Sequence, residues 1–259
     1  MAKEENGIIQ SVDRALTLID KISEMPETGA SLNELAGELG IDRSSVFRLL
    51  STLSRYDVIR QVEGSKKYKL GYGIYTYAGR LRVQEKLTDA AAPFLDRLVE
   101  RTGENAHLAV RTRSLAVFID RKISGSTLTA NTNIGDAEEL YCTAVGKSLI
   151  SSMSREEIEA LLPAGSMVRY TENTLAGVDQ LMDELALIRR RGWAVDNEEF
   201  EYNIVCLAAP VYNFENKIEA AVGISGPKIR LKDRIEEVGE IVGHTALELS
   251  RQLGWNEQL

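Results

Sequence analysis

Apolar residues recur every three or four positions along residues 11–22 (SVDRALTLIDKI). There Val12, Ala15, Leu16, Ile19 and Ile22 would share one face of a helix capped by Ser11. The same period returns in 31–53 (SLNELAGELGIDRSSVFRLLSTL) with punctuation. Ser31 and Glu34 have the spacing of a capping box, Leu35, Ala36 and Leu39 form an apolar stripe, and Gly40 stands where a helix ends on a left-handed residue. Asp42 then caps a second helix whose apolar side is Val46, Leu49, Leu50 and Leu53. Two short helices joined through a glycine turn predict a helix-turn-helix. Beyond it the period drops to two: Val58, Arg60 and Val62 alternate, Gly64 and Ser65 make a turn, and 66–70 return as a second strand.

Residues 71–87 carry Ile74, Ala78, Leu81 and, less regularly, Gln84 and Leu87 on one side, which predicts a connecting helix. Thr88 is placed to cap the next helix, with Ala91, Leu95, Leu98 and Val99 buried. Residues 106–123 read as two strands about Arg113 and Ser114, and 207–213 with 218–226 as a second pair. Helical patterns at 154–162, 174–191 and 231–253 would cover the sheet. Strands and helices mixed without a regular βαβ alternation predict an α+β fold. The expected plan is 1–70, 71–87 as a linker helix, and 88–259.

Charge changes the picture. The chain of 259 residues has a formal net charge of −8, yet residues 1–80 hold 11 basic and 11 acidic side chains, so the excess lies entirely beyond them. Within 42–69, seven basic residues (Arg43, Arg48, Arg55, Arg60, Lys66, Lys67, Lys69) face three acidic ones. Ser44, Phe47, Arg48, Ser51 and Arg55 follow at helical spacing on the side of the second helix opposite its apolar stripe. Arg43 lies at its N-terminal end, where recognition helices meet base edges; Ser45 and Thr52 flank the stripe. Small hydroxyls allow close approach to a duplex, and arginine grips a phosphate or a guanine edge. Two placements are open to Phe47: against a thymine methyl, or folded back onto the first helix. Lys66 and Lys67 at the hairpin tip would make a wing on the sugar-phosphate backbone.

The remaining chemistry is sparse. Two cysteines cannot form a zinc site alone, and two histidines leave little material for metal or acid–base chemistry, so no metal or cofactor is expected. No apolar run approaches the ~20 residues of a membrane span. The start MAKEENGIIQ has no signal core, so no membrane partner and a cytoplasmic location are expected.

On these residues the chain resembles the IclR family of transcriptional regulators. The resemblance is carried by SVDRAL, LNELAGELG, SSVFRLLSTL and YKLG, then TGENAHLAV, CTAVGKSLI, and RGWAVDNEEFEYNIVCLAAPVYN with AAVGISGP. Within 192–213 the family pattern is supplied by Gly192, Asp196, Glu199, Cys206, Leu207, Ala208, Val211, Tyr212 and Asn213. The resemblance implies a winged helix-turn-helix over 1–70 and a linker helix over 71–87. Over 88–259 it implies a GAF-like effector-binding domain, with an antiparallel sheet flanked by helices. It further implies dimers or tetramers on operator DNA, and ligand-dependent control of a catabolic operon.

The resemblance also places the effector. Positions matching Ala144, Val145, Asp196, Cys206 and Ser225 line the site of small oxo- or hydroxy-acids in family members. The residues themselves add that Thr143 or Gly146 opens a helix, with the amides of Ala144, Val145 and Gly146 at its positive end. Lys147 could assist an anion or lie at the surface. Gly223, where some members have serine, and the nearby Tyr141, Trp193 and Tyr202 suggest room for an aromatic or branched acid. The alternatives are a cysteine-dependent hydrolase using Cys206 with His107 as base, and a redox sensor using Cys142 and Cys206. No cationic neighbour in the local sequence lowers the Cys206 thiol pKa.

Overall fold

The computed structural model describes residues 8–130 and 132–256, so the reading of residues 1–7 lies outside it, as does that of the Gln84 side chain. The chain forms two compact units, Met1–Glu85 and Lys86–Leu259.

The first unit runs α1 (Gln10–Ser23), β1 (Ala30–Ser31), α2 (Leu32–Leu39), α3 (Arg43–Arg55), β2 (Ile59–Gln61), β3 (Lys67–Leu70) and α4 (Gly73–Glu85). Leu18, Ile22, Leu35, Val46, Leu50 and Ile59 are its buried centre. The capping box forms as the spacing predicts: Ser31 Oγ accepts from the Glu34 amide, and the Glu34 carboxylate accepts from the Ser31 amide. Gly40 takes φ 62°, a conformation open to glycine without steric clash, and turns α2 into α3. Asp42 caps α3 by accepting from the Ser45 amide.

Two expectations are corrected in α1. The helix begins at Gln10 with Ile9 in the cap position, so Ser11 sits inside the first turn. Its buried side is Leu18 and Ile22, while Val12 and Leu16 are exposed. The apolar stripe is wider than the surface α2 and β3 offer, and its other half lines a groove facing Leu49 and Leu53 of α3. A third strand, β1, joins the hairpin in an antiparallel sheet of order β1-β3-β2.

The second unit contains α5 (Leu87–Thr102), β4 (Asn105–Thr112), β5 (Leu115–Lys122), β6 (Ala137–Glu139), α6 (Ala144–Leu149), α7 (Arg155–Leu161), α8 (Val178–Arg191), β7 (Ala194–Asn197), β8 (Ile204–Tyr212), β9 (Ile218–Pro227), α9 (Lys228–Leu231) and α10 (Ile235–Gln252). Six strands form one antiparallel sheet of order β6-β5-β4-β9-β8-β7. One face packs against α5 and α10 through Leu95, Leu98, Val205, Leu207, Val242 and Leu249. The other packs against α6, α7 and α8 through Phe118, Val145, Leu149, Ile158, Leu181 and Ala208.

Three boundaries differ from the pattern-based reading. Lys86, at φ 32°, ends the connecting helix, and Leu87 is buried as the first residue of α5, so Thr88 lies inside that helix and does not cap it. The expected helix 174–191 starts only at Val178, because Thr171 and Thr174 donate their hydroxyls to the carbonyls of Glu198 and Glu199. The expected helix 231–253 is broken into α9 and α10 around Arg234, whose φ of −127° lies outside helical values.

Candidate functional site

On the first unit, Arg43, Ser44, Phe47, Arg48, Ser51 and Arg55 are all exposed along α3. Phe47 keeps 53% of its surface, so of its two placements the structure takes the outward one. Ser44 and Ser45 both donate their hydroxyls to the Asp42 carboxylate, which holds its pKa well below the usual range and fixes the start of the helix. Ser45 and Thr52 sit on the flank. With Arg48 they line the α1–α3 groove of about 510 Å³, and Thr52 donates its hydroxyl to the Arg48 carbonyl. Lys66 is exposed at the hairpin turn, whereas Lys67 is half-buried with its ammonium 3.4 Å from Thr28 Oγ1. The surface therefore offers cationic and hydroxyl groups around the exposed Phe47 ring.

On the second unit, strand register builds a polar row on the face covered by α6. Asp196 pairs with Cys206, Cys206 with Ser225, and Ser225 with Asn105, so these four side chains line up across β7, β8, β9 and β4. Ser225 is buried and its Oγ has no hydrogen-bond partner. Asn105 donates to the Ala130 carbonyl and accepts from the Ser124 amide, tying the loop after β5 to the row. The sequence reading missed Asn105, although its place opposite Ser225 follows from the two predicted hairpins once β4 is laid against β9. His107, one row along, meets Gly223 across the sheet and stacks edge-on against Phe118. Burial lowers its pKa to about 4, so at neutral pH it is uncharged.

Above this row, Thr143 caps α6: its Oγ1 accepts from the Gly146 amide and donates to the Glu139 carbonyl. Gly146 therefore does not offer its amide outward. A Cβ there would lie 2.5 Å from the Glu139 carbonyl oxygen, so this glycine serves close packing. Ala144 and Val145 are buried, and as the first two helical residues they have no intrahelical acceptor for their amides. Tyr141 is also buried, with its hydroxyl donating to the Val168 carbonyl and accepting from the Val168 amide.

Lys147 is neither at the surface nor free. It is fully buried, donates to the Val195 carbonyl at 2.6 Å and forms an ion pair with Glu199, with Glu184 at 3.9 Å. Asp196 Oδ1 accepts from the Glu199 amide at 2.7 Å. Burial raises the Asp196 pKa to about 7, against Lys147, which lowers it, and with Glu199, which raises it. Glu138 is also raised to about 7, by burial and then by Asp136 and Glu201.

Two of the aromatic residues that suggested room for the effector lie away from the polar row. Trp193 is in the opposite core, where its ring fills the space a Cβ of Gly239 on α10 would need, and Arg191 lies over it at 4.1 Å. Residues 194 and 196 face α6, so 193 must face the other way. Tyr202 is 54% exposed. Gly223 leaves no extra room either: a Cβ there would lie 2.9 Å from that of Ala208 and 2.7 Å from the Leu207 carbonyl oxygen. As for the thiols, burial and then Asp196 raise the pKa of both Cys206 and Cys142, which keeps them protonated and poorly nucleophilic.

Comparison with known proteins agrees with this division. The profile "IclR helix-turn-helix domain" matches residues 11–63, and "Bacterial transcriptional regulator IclR C-terminal" matches 81–251. The chain is 32% identical over 253 residues to the HTH-type transcriptional regulator XynR of Escherichia coli, covering 96% of this chain and 98% of that protein. It superposes on the Thermotoga maritima IclR with a TM-score of 0.70, at 28% identity over 95% of this chain and 99% of the other. An IclR homologue from Microbacterium hydrocarbonoxydans, solved with 4-hydroxybenzoate, shares the fold at a TM-score of 0.79 and 18% identity, covering 94% of this chain and 98% of that one.

Proposed function

Because this chain belongs to the IclR family of transcriptional regulators, and is a ligand-responsive DNA-binding regulator and not an enzyme, we propose that it controls a catabolic operon in response to a small carboxylic acid. The observation that carries the DNA half is the exposure of Arg48 and Ser51, in one stripe with Arg43, Ser44, Phe47 and Arg55. Groups of that kind, free of the fold and at helical spacing, suit the major groove, with Lys66 on the adjacent backbone.

The effector is assigned to the face of the sheet beneath α6. The amides of Ala144 and Val145, the unpartnered Ser225 hydroxyl and Cys206 would hold the acid, with Asp196 beside its carboxylate. Since Gly223 opens no space, an aromatic effector finds no support in the pocket. A second copy of the chain is the expected partner. Val12 and Leu16 on α1 and Tyr75, Tyr77 and Leu81 on α4 are exposed apolar side chains that an isologous contact would cover. Residues 71–87 would then carry the effector signal between recognition helices. No described helix is long and apolar enough to cross a membrane, and a regulator that works on DNA would act in the cytoplasm.

The test is footprinting of the full chain on its own upstream region, with and without glyoxylate and 4-hydroxybenzoate. Protection that strengthens at low salt and shifts with one acid is expected. No protection at any salt concentration would sink the DNA reading, and protection indifferent to every acid would sink the effector.

A further inference from the structure

Asp196 is 3% exposed, sits in register with Cys206 and the unpartnered Ser225 hydroxyl, and accepts a hydrogen bond from the Glu199 amide at 2.7 Å. Few charges act on it. From α6 comes Lys147, already ion-paired with Glu199 and 3.9 Å from Glu184 of α8. From the segment after β7 comes Glu199 itself. Cys206 beside it on β8 feels Glu138 of β6 and Glu201 as well, and Cys142 lies before α6. Arg121 is on β5, four strand steps away in the sheet, and donates to the Thr132 carbonyl and Asn133 Oδ1. His107 is uncharged at neutral pH. A ligand carboxylate placed beside Asp196 would therefore bring a second negative charge into a buried site where Lys147, the cation acting on Asp196, is already ion-paired with Glu199.

Two carboxylates sharing such a site cannot both stay ionised without a large penalty. We propose that Asp196 is a proton-holding specificity residue: the site admits a carboxylate effector together with one proton from solvent, which resides on the Asp196 carboxyl and is donated as a hydrogen bond to the ligand. No bond other than O–H is made, and the proton returns to solvent when the ligand leaves. The site would thus respond to acid concentration and pH jointly. This inference rests on the acid-effector reading above.

Calorimetry of the full chain with glyoxylate and with 4-hydroxybenzoate, in buffers of different ionisation heat, counts the protons directly. Uptake of about one proton per ligand is expected at pH 8, with affinity falling roughly tenfold per pH unit above the Asp196 pKa. Asp196→Asn should abolish both, and Glu138→Gln should leave them in place; the reverse assignment would overturn the role given to Asp196. Zero uptake by the wild-type protein overturns it without any variant. Infrared difference spectra of wild type against Asp196→Asn, from pH 5.5 to 8.5, should show a protonated carboxyl band that fades as pH rises. If neither acid binds at pH 6, the coupling falls, and this band tells which premise failed: a protonated Asp196 indicts the acid effector, an ionised one indicts the proton.

Discussion

Burial drives Asp196 and His107 in opposite directions, and the two leave opposite marks on stability. Asp196 is raised to about 7 from an ordinary 3.8, so between these the folded chain holds a proton the unfolded chain has released. Its contribution is present at low pH and is lost as pH rises through the folded value, amounting to at most about 4 kcal/mol. His107 is lowered to about 4 from 6.5, so its contribution is present above 6.5 and is lost as pH falls toward 4, amounting to about 3 kcal/mol. Glu138 has the same sign as Asp196. Urea denaturation of wild type should therefore show stability falling from pH 5 to pH 8. Asp196→Asn should flatten that fall. His107→Leu, by removing the opposing group, should steepen it between pH 4.5 and 7. A flat wild-type profile with no change in either variant would mean that neither group is buried as described.

The elements divide sharply in what exposes them to mutation. On α3, Arg48→Ala removes an exposed side chain, so the melting temperature should hold while operator affinity drops by about 1–3 kcal/mol in fluorescence anisotropy. If Arg48 meets a phosphate, the salt slope should also fall by about one. On α10, Gly239→Ala forces a Cβ to 2.4 Å from the Trp193 ring, and overpacking of about 1–3 kcal/mol should outweigh the helix propensity gained. A stabilised variant would show that Trp193 lies elsewhere. The helix-turn-helix was legible because its signals are local: a capping box, a glycine at φ 62° and an aspartate cap all act within four residues. The two hairpins of the effector unit were legible from alternation. The side of Trp193 could have been read from parity with Asp196, since neighbours on a strand face opposite ways. The partner of Lys147 could not, because Glu199 lies 52 residues away and a buried lysine looks like any other in sequence. Short strands such as β1 and β6 escaped for want of any pattern in two or three residues.

Across the whole molecule, the charge is arranged as two opposed fields: a neutral stretch with its cations gathered in 42–69, and a remainder that carries the entire −8. Acidic bulk would repel a duplex except at the basic stripe proposed to meet it, so encounter should be steered and nonspecific binding weak. The symmetric dimer proposed above would add a length. Two α3 helices related by a two-fold axis reach successive major grooves on one side of the duplex only if their half-sites lie about 34 Å apart, or a multiple of that. Footprints should therefore show two protected half-sites of inverted sequence at that spacing. Inserting five base pairs between them rotates one half-site by about half a turn and should remove most of the affinity, while ten restore part of it. Sedimentation should show a dimer or larger assembly that Tyr75→Glu with Leu81→Glu breaks down, since both side chains are exposed on α4. Dissociated variants should keep the helix-turn-helix folded yet lose the dependence on half-site spacing, binding each half alone and weakly. A spacing-independent footprint from the wild-type protein would mean that single recognition helices read the operator, and the dimer would then have no part in it.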